Sequence, residues 1–258
     1  MPENLRLISL APTQTEILCA LGMRPNLAGV TEDCDFPESV KCVRKFGSWY
    51  SPEIKDIVAA RPDMVFTFGS HQDEVRTVLE ESGIRVYHSE PETISSSLES
   101  MRDIARLLDR EDAGAKLTDL LETRLRRISE ILGNAHGRRI PRVLRIMNWD
   151  PLIAPGPGAF QHDVIEFAGG RNVTRDGPAS YFVCKPEEIR AKDPDIIFFC
   201  EPHIRKLLEQ DAQWRNVSAV RDGRIFVYDC GLTCRSGPRI VDMAEELNRA
   251  VMQFATGA

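Results

Sequence analysis

None of the short signatures of the common catalytic centres occurs in this sequence. Its 258 residues hold no Gly-x-Ser-x-Gly elbow, no phosphate loop ending in Gly-Lys-Ser/Thr and no His-Glu-x-x-His pair. No enzyme of those classes is expected, because their chemistry needs those residues at those spacings. The glycine-rich stretch "APGPGAF" carries two prolines and lacks dinucleotide-binding spacing, so it reads as a turn. The five histidines are scattered. A net charge of -6 argues against nucleic acid as a partner, and the arginines at 124–127 and 138–142 read as solvated helix faces. No apolar run reaches membrane-spanning length, which excludes direct membrane insertion by a helix. The opening "MPENLRLISLAP" has no basic segment followed by an apolar one, and the seven cysteines are an odd number that cannot all pair. Together these absences lead us to expect a cytoplasmic protein. The alternative is a periplasmic one whose leader has been removed.

What is present is an alternation of short, branched, apolar runs with amphipathic stretches. "LRLIS", "LAGV", "MVFTF" and "IRVY" read as buried strands in the first part, and "RVLRIM", "DIIFFC" and "RIFVYD" in the second. Alternating elements of this kind predict an α/β fold with mostly parallel sheets. The spacing predicts a helix after the first strand, capped by Thr13 and Glu16 and closed by Gly22. A final helix is expected after "SGPR", with Ser236 as N-cap and Pro238 in its first turn. Between the two strand sets, Ile94, Leu98, Met101, Ile104 and Leu108 form one helical stripe. A second stripe, from about Arg110 to Leu132, makes a rod of roughly 33 Å, with Gly114 its weak point. We therefore expect an amino-terminal lobe over 1–92, a helical linker over 93–139 and a carboxy-terminal lobe over 140–258.

The two parts share a pattern. "SWYSPEIKDIVAARPDMVF" and "SYFVCKPEEIRAKDPDIIF" both run Ser, two aromatics, Pro-Glu, an amphipathic helix, Pro-Asp and a buried strand. Order kept over that length points to two related lobes. The doublets Trp49-Tyr50 and Tyr181-Phe182 occupy matching loop positions, and Phe68 and Trp149 follow other strands. Facing loops of this kind would wall a ligand cleft between the lobes with aromatics.

The cysteines allow more than one reading. Cys230 and Cys234 follow the strand "RIFVYD", while Cys34 and Cys42 follow "LAGV". They could be small pocket-rim residues. They could instead hold a soft metal or an iron–sulfur cluster as thiolates. A zinc ribbon is not expected, since neither pair has two-residue spacing.

The segments "RLISLAPTQTEILCALG", "GVTEDCDFPESV", "PEIKDIVAARPDMVF" and "RSGPRIVD" resemble the periplasmic-binding-protein family with a helical backbone. That family includes the vitamin B12, haem and iron-siderophore receptors of ABC importers, and the cobalamin-binding branch fits best. The resemblance covers nearly the whole chain. It implies two Rossmann-like lobes joined by one long helix. It also implies a non-catalytic receptor for a corrinoid or other metal chelate, with an ABC permease as partner. Carried over, the ligand contacts fall on Thr13, Asp33, Cys34, Trp49, Tyr50, Phe68, Trp149, Tyr181, Phe182 and Arg235. Phe68 and Tyr181 stand where the family has tryptophan, Asp33 where it has tyrosine, and Cys234 where it has an acid. Docking on a permease would use Glu187 in the second lobe. The first-lobe counterpart is Lys55, with Glu53 two residues away. The alternative function is a cytoplasmic metalloprotein of the same fold, with a metal or iron–sulfur cluster on its cleft cysteines.

Overall fold

A computed structural model describes residues 5–135 and 137–256. The chain divides into two compact units. One comprises the chain up to Pro91, Ser95–Leu120 and Ser236–Pro238. The other comprises Glu92–Ile94, Leu121–Arg235 and the chain from Arg239 onward.

In the first unit the order is β1 (Leu7–Ser9), α1 (Pro12–Ala20), β2 (Leu27–Val30), α2 (Ile54–Ala59), β3 (Met64–Phe68), α3 (Asp73–Glu81) and β4 (Val86–Ser89). The four strands form one parallel sheet in the order β2-β1-β3-β4. All of β1 and most of β3 are buried, as strands covered on both faces must be, and this is why they read as unbroken apolar runs. Ile8, Leu10, Phe46, Ile57, Val65 and Leu79 pack together as the core. Each contributes about 1.5–3 kcal/mol by leaving water.

Two helices follow, α4 (Ile94–Leu107) and α5 (Glu111–Asn134). The 24 residues of α5 make a single rod of about 36 Å, and its residues divide between the units after Leu120. Gly114 is a close-packing position: a Cβ there would overlap that of Ala105 on α4.

The second unit holds β5 (Arg142–Arg145), β6 (Ile153–Pro155), α6 (Phe160–Phe167), β7 (Arg171–Asn172), β8 (Tyr181–Val183), α7 (Pro186–Ala191), β9 (Ile196–Phe199), α8 (His203–Gln210), α9 (Ser218–Arg221), β10 (Ile225–Val227), α10 (Cys230–Thr233) and α11 (Ile240–Thr256). Its main sheet, read from the other edge, is β7-β5-β9-β10, all parallel. In both sheets the first strand of the set lies between the second and the third. Strands β6 and β8 form a separate antiparallel pair.

The expected α/β architecture, with mostly parallel sheets and a long helix, is the one the chain adopts. The shared pattern extends to hydrogen bonds. Asp63 and Asp195, the acids of the two Pro-Asp pairs, accept from the backbone N–H groups of Arg6 at 2.7 Å and Arg142 at 2.9 Å. The backbone N–H of each aspartate in turn donates to the carbonyl of the same arginine. The residues before the two prolines, Arg61 and Asp193, are both left-handed.

Several local expectations differ. Helix α1 starts at Pro12 with Ala11 as N-cap and no side-chain cap, so the Thr13–Glu16 box does not form. Proline in the first turn has already set the helical φ upstream of Thr13. Helix α11 starts at Ile240, two residues beyond Pro238, so Ser236 is not its cap. Tyr181 and Phe182 belong to a strand, where a loop was expected.

Candidate functional site

Candidate residues in each unit lie on or near the segments that follow its strands. In the first unit Trp49 lies in the turn closed by the Gly47–Pro52 bridge. Asp33 holds it there, accepting from the Trp49 backbone N–H at 2.6 Å. Gln72, fully buried just beyond β3, donates to the Trp49 carbonyl at 2.8 Å and to the Leu10 carbonyl at 2.9 Å. It accepts from the Phe68 N–H at 3.0 Å. Phe68 thus ends β3 within this network. The Trp49 ring meets Tyr50 at 4.9 Å and His71 edge-on at 4.4 Å. Burial lowers the His71 pKa, outweighing the nearby Glu90 carboxylate, so at neutral pH the imidazole keeps a lone pair. The Trp49 Nε1 is buried without a hydrogen-bond partner among the described residues. Tyr50 is 76% exposed, a large aromatic face open to a ligand. Thr13 is buried within α1.

In the second unit Tyr181 is 43% exposed and donates from its hydroxyl to Gln161 at 2.8 Å. Phe182 points the other way. It packs on the core, and a Cβ at Gly177 would overlap its ring. Alternation along a strand sends neighbouring side chains to opposite faces, so only one of this doublet can meet a ligand. Trp149 packs on Trp214 at 5.7 Å and helps line a 340 Å³ depression with Glu187 and Arg190. It therefore belongs with the expected docking residue Glu187, which is exposed on α7. Glu53 and Lys55 are both exposed around the start of α2. Arg235 lies over Gly231.

The four cysteines expected as ligands behave differently from one another. Cys34 is buried, its sulfur bonded by Thr15 at 3.1 Å and Thr31 at 3.2 Å. Burial pushes its pKa up despite those bonds, so it is a neutral packing thiol. Cys42 is exposed and donates to the Ser39 carbonyl at 3.2 Å. Cys230 and Cys234 do come together, but with Cys200 as the third member, and the three sulfurs lie within 4.8 Å of one another. Hydrogen bonds from Cys230 and Cys234, then the charge of Arg145, push the Cys200 pKa down, while the same bonding pushes that of Cys230 up.

Sequence reasoning missed His71, Gln72, Cys200 and Arg145. Only Cys200 left a trace, as the polar end of "DIIFFC". The others depend on partners far away in sequence.

The model of the periplasmic binding proteins matches residues 7–230. The chain belongs to that family. Its relatives include a vitamin B12-binding protein of Salmonella typhimurium, 25% identical over 249 residues, covering 96% of this chain and 90% of that protein. An uncharacterised ABC transporter substrate-binding lipoprotein of Bacillus subtilis, YvrC, is 25% identical over 96% of this chain and 80% of its own. Among solved structures, the periplasmic heme-binding protein RhuT of Roseiflexus sp. RS-1 superposes with a TM-score of 0.85 at 22% identity, covering 98% of this chain and 99% of that one. These findings overturn the expected cytoplasmic location, and with it the cytoplasmic metalloprotein alternative: the relatives are periplasmic or lipoprotein components of importers. An odd cysteine count is weak ground for a compartment, because an unpaired thiol can be buried in a folded protein, as Cys34 is.

Proposed function

We propose that this chain is the substrate-binding component of an ABC importer, and that its ligand is a corrinoid or a similarly bulky metal chelate. The observation that carries the reading is the near full-length similarity to a vitamin B12-binding protein. The exposed aromatic group of Trp49, Tyr50 and His71 supports it. Flat, weakly polar ligand faces bind well against such rings. The His71 lone pair also offers a donor to a chelated metal with an open position. Family membership supports a receptor rather than an enzyme, with a permease as partner. Glu187 and Glu53 are the carboxylates best placed for docking, each exposed beside the start of a short helix.

Calorimetry with cobalamin, cobinamide and haem tests this. Binding of one of the corrinoids at low micromolar concentration or better is expected. No heat with any of the three would remove the reading, and heat with haem alone would move the ligand to a porphyrin.

A further inference from the structure

We propose that Cys200, Cys230 and Cys234 form a binding site for one thiophilic divalent metal ion such as Zn²⁺, resident in the second unit. Three features of the fold assemble it. Cys200 directly follows β9, and β10, which leads into α10, pairs with β9. Cys230 and Cys234 are four residues apart in one helical turn, with the Cys234 N–H donating to the Cys230 carbonyl at 2.9 Å. Spacing of four in a helix places both sulfurs on one face. The two-residue spacing of zinc ribbons is therefore not needed.

Sulfur geometry suits a single ion. The Cys200 and Cys234 sulfurs are 3.8 Å apart. A tetrahedral centre with bonds of about 2.3 Å sets its sulfurs ~3.8 Å apart. Thiolates on separate irons of a cubane diverge and stand farther from one another, so the geometry favours a mononuclear ion over a cluster.

Charge balance points the same way. Arg145 is fully buried, and among the described residues no carboxylate pairs with it. One terminal nitrogen lies 3.5 Å from both the Cys200 and Cys234 sulfurs and 3.3 Å from the Thr233 hydroxyl. The other nitrogen donates to the Ile146 carbonyl, and Nε has no partner among the described residues. An isolated buried cation is costly. Three thiolates around a divalent ion carry one net negative charge, which Arg145 neutralises. Loading leaves all three cysteines bound to the ion as thiolates, and every proton still held by a thiol passes to solvent. Cys230 is exposed, leaving the fourth position of the ion to water or an incoming donor.

The test is anaerobic titration of the reduced, metal-free protein with Co²⁺, which reports thiolate ligation optically. Equimolar binding with strong sulfur-to-cobalt charge-transfer absorption is expected. Cys230→Ser, at an exposed position, should weaken binding by about 100-fold or more, since even supporting residues around a metal are worth up to that. Cys34→Ser and Cys42→Ser should leave the cobalt spectrum unchanged. Far-ultraviolet circular dichroism checks that each variant is folded. If wild type shows no charge-transfer band at a large excess of cobalt, or if Cys230→Ser and Cys200→Ser both keep it, the site is refuted. A Cys200–Cys234 disulfide in protein isolated without reductant, with no cobalt band after reduction, would assign the pair to a covalent bridge and also refute it. Corrinoid calorimetry on the same metal-free samples keeps this outcome distinct from that of the proposed function.

Discussion

At the residue scale, the side chains that position the proposed ligand-facing rings are different from the rings themselves. Trp49 was legible because an aromatic doublet beside serine and proline is unusual in a core. Gln72 was not, because its three hydrogen bonds reach positions 4, 23 and 62 residues away. It acts through Trp49 and Phe68 as a positioning residue. Gln72→Ala should therefore weaken corrinoid binding by about 1 kcal/mol or more through a displaced Trp49, and should move the midpoint of tryptophan fluorescence quenching to higher corrinoid concentration. Trp49→Ala removes the ring itself and should cost on the order of 1–3 kcal/mol of binding free energy. Tyr181→Ala should fall in the same range, whereas Phe182→Ala should lower stability by about 3 kcal/mol with little change in the affinity of the folded protein. Calorimetry combined with denaturant melts separates the two members of that doublet. The matching doublets suggested equal roles. The pleat of β8 sends them to opposite faces, and nothing in a single sequence fixes which side of a two-residue aromatic pair faces inward.

At the element scale, the Pro-Asp pairs show how one motif acquires different weight in its two copies. Both acids tie the start of the third strand to the start of the first. Asp63 is exposed, while the Asp195 side chain is almost wholly buried and also receives Arg142 Nε at 2.9 Å and Arg139 at 2.9 Å. Burial alone would raise the Asp195 pKa. The bonds from the Arg142 side chain and backbone, with the Arg139 charge, overcome that and hold it below the ordinary aspartate value. A carboxyl depressed by folding stabilises the protein above its unfolded pKa, near 4, and the gain is lost as pH falls through its folded value. Asp195→Asn should therefore unfold at lower denaturant concentration than wild type near neutrality. The gap should narrow between about pH 4 and pH 2. Asp63→Asn should show a much smaller gap, under about 1 kcal/mol, as exposed pairs do. Strands such as β2 and β3 were legible to the residue because branched apolar runs with both faces covered have few alternatives. Helix starts were less so. Pro12 and Thr13 compete for the same turn, and the backbone restriction of proline wins over the side-chain cap.

At the scale of the whole molecule, two sheets of the same strand order and one unbroken 24-residue helix account for the family assignment. The order was not readable from sequence, but the repeat that produces it was. If Glu187 and Glu53 dock on a permease, Glu187→Lys should abolish complex formation in detergent or nanodiscs while leaving corrinoid affinity intact. Lys55→Glu should strengthen the complex, because it replaces a cation with a second carboxylate beside Glu53, the charge type proposed to dock. Hydrogen–deuterium exchange with and without bound corrinoid tests the central claim most directly, because it reports each strand-end loop separately. The account predicts protection on binding in residues 47–50 and 69–72 and in 180–182. Unchanged exchange in these segments, with protection confined to 186–190 and 211–214 around the Trp149 depression, would contradict it.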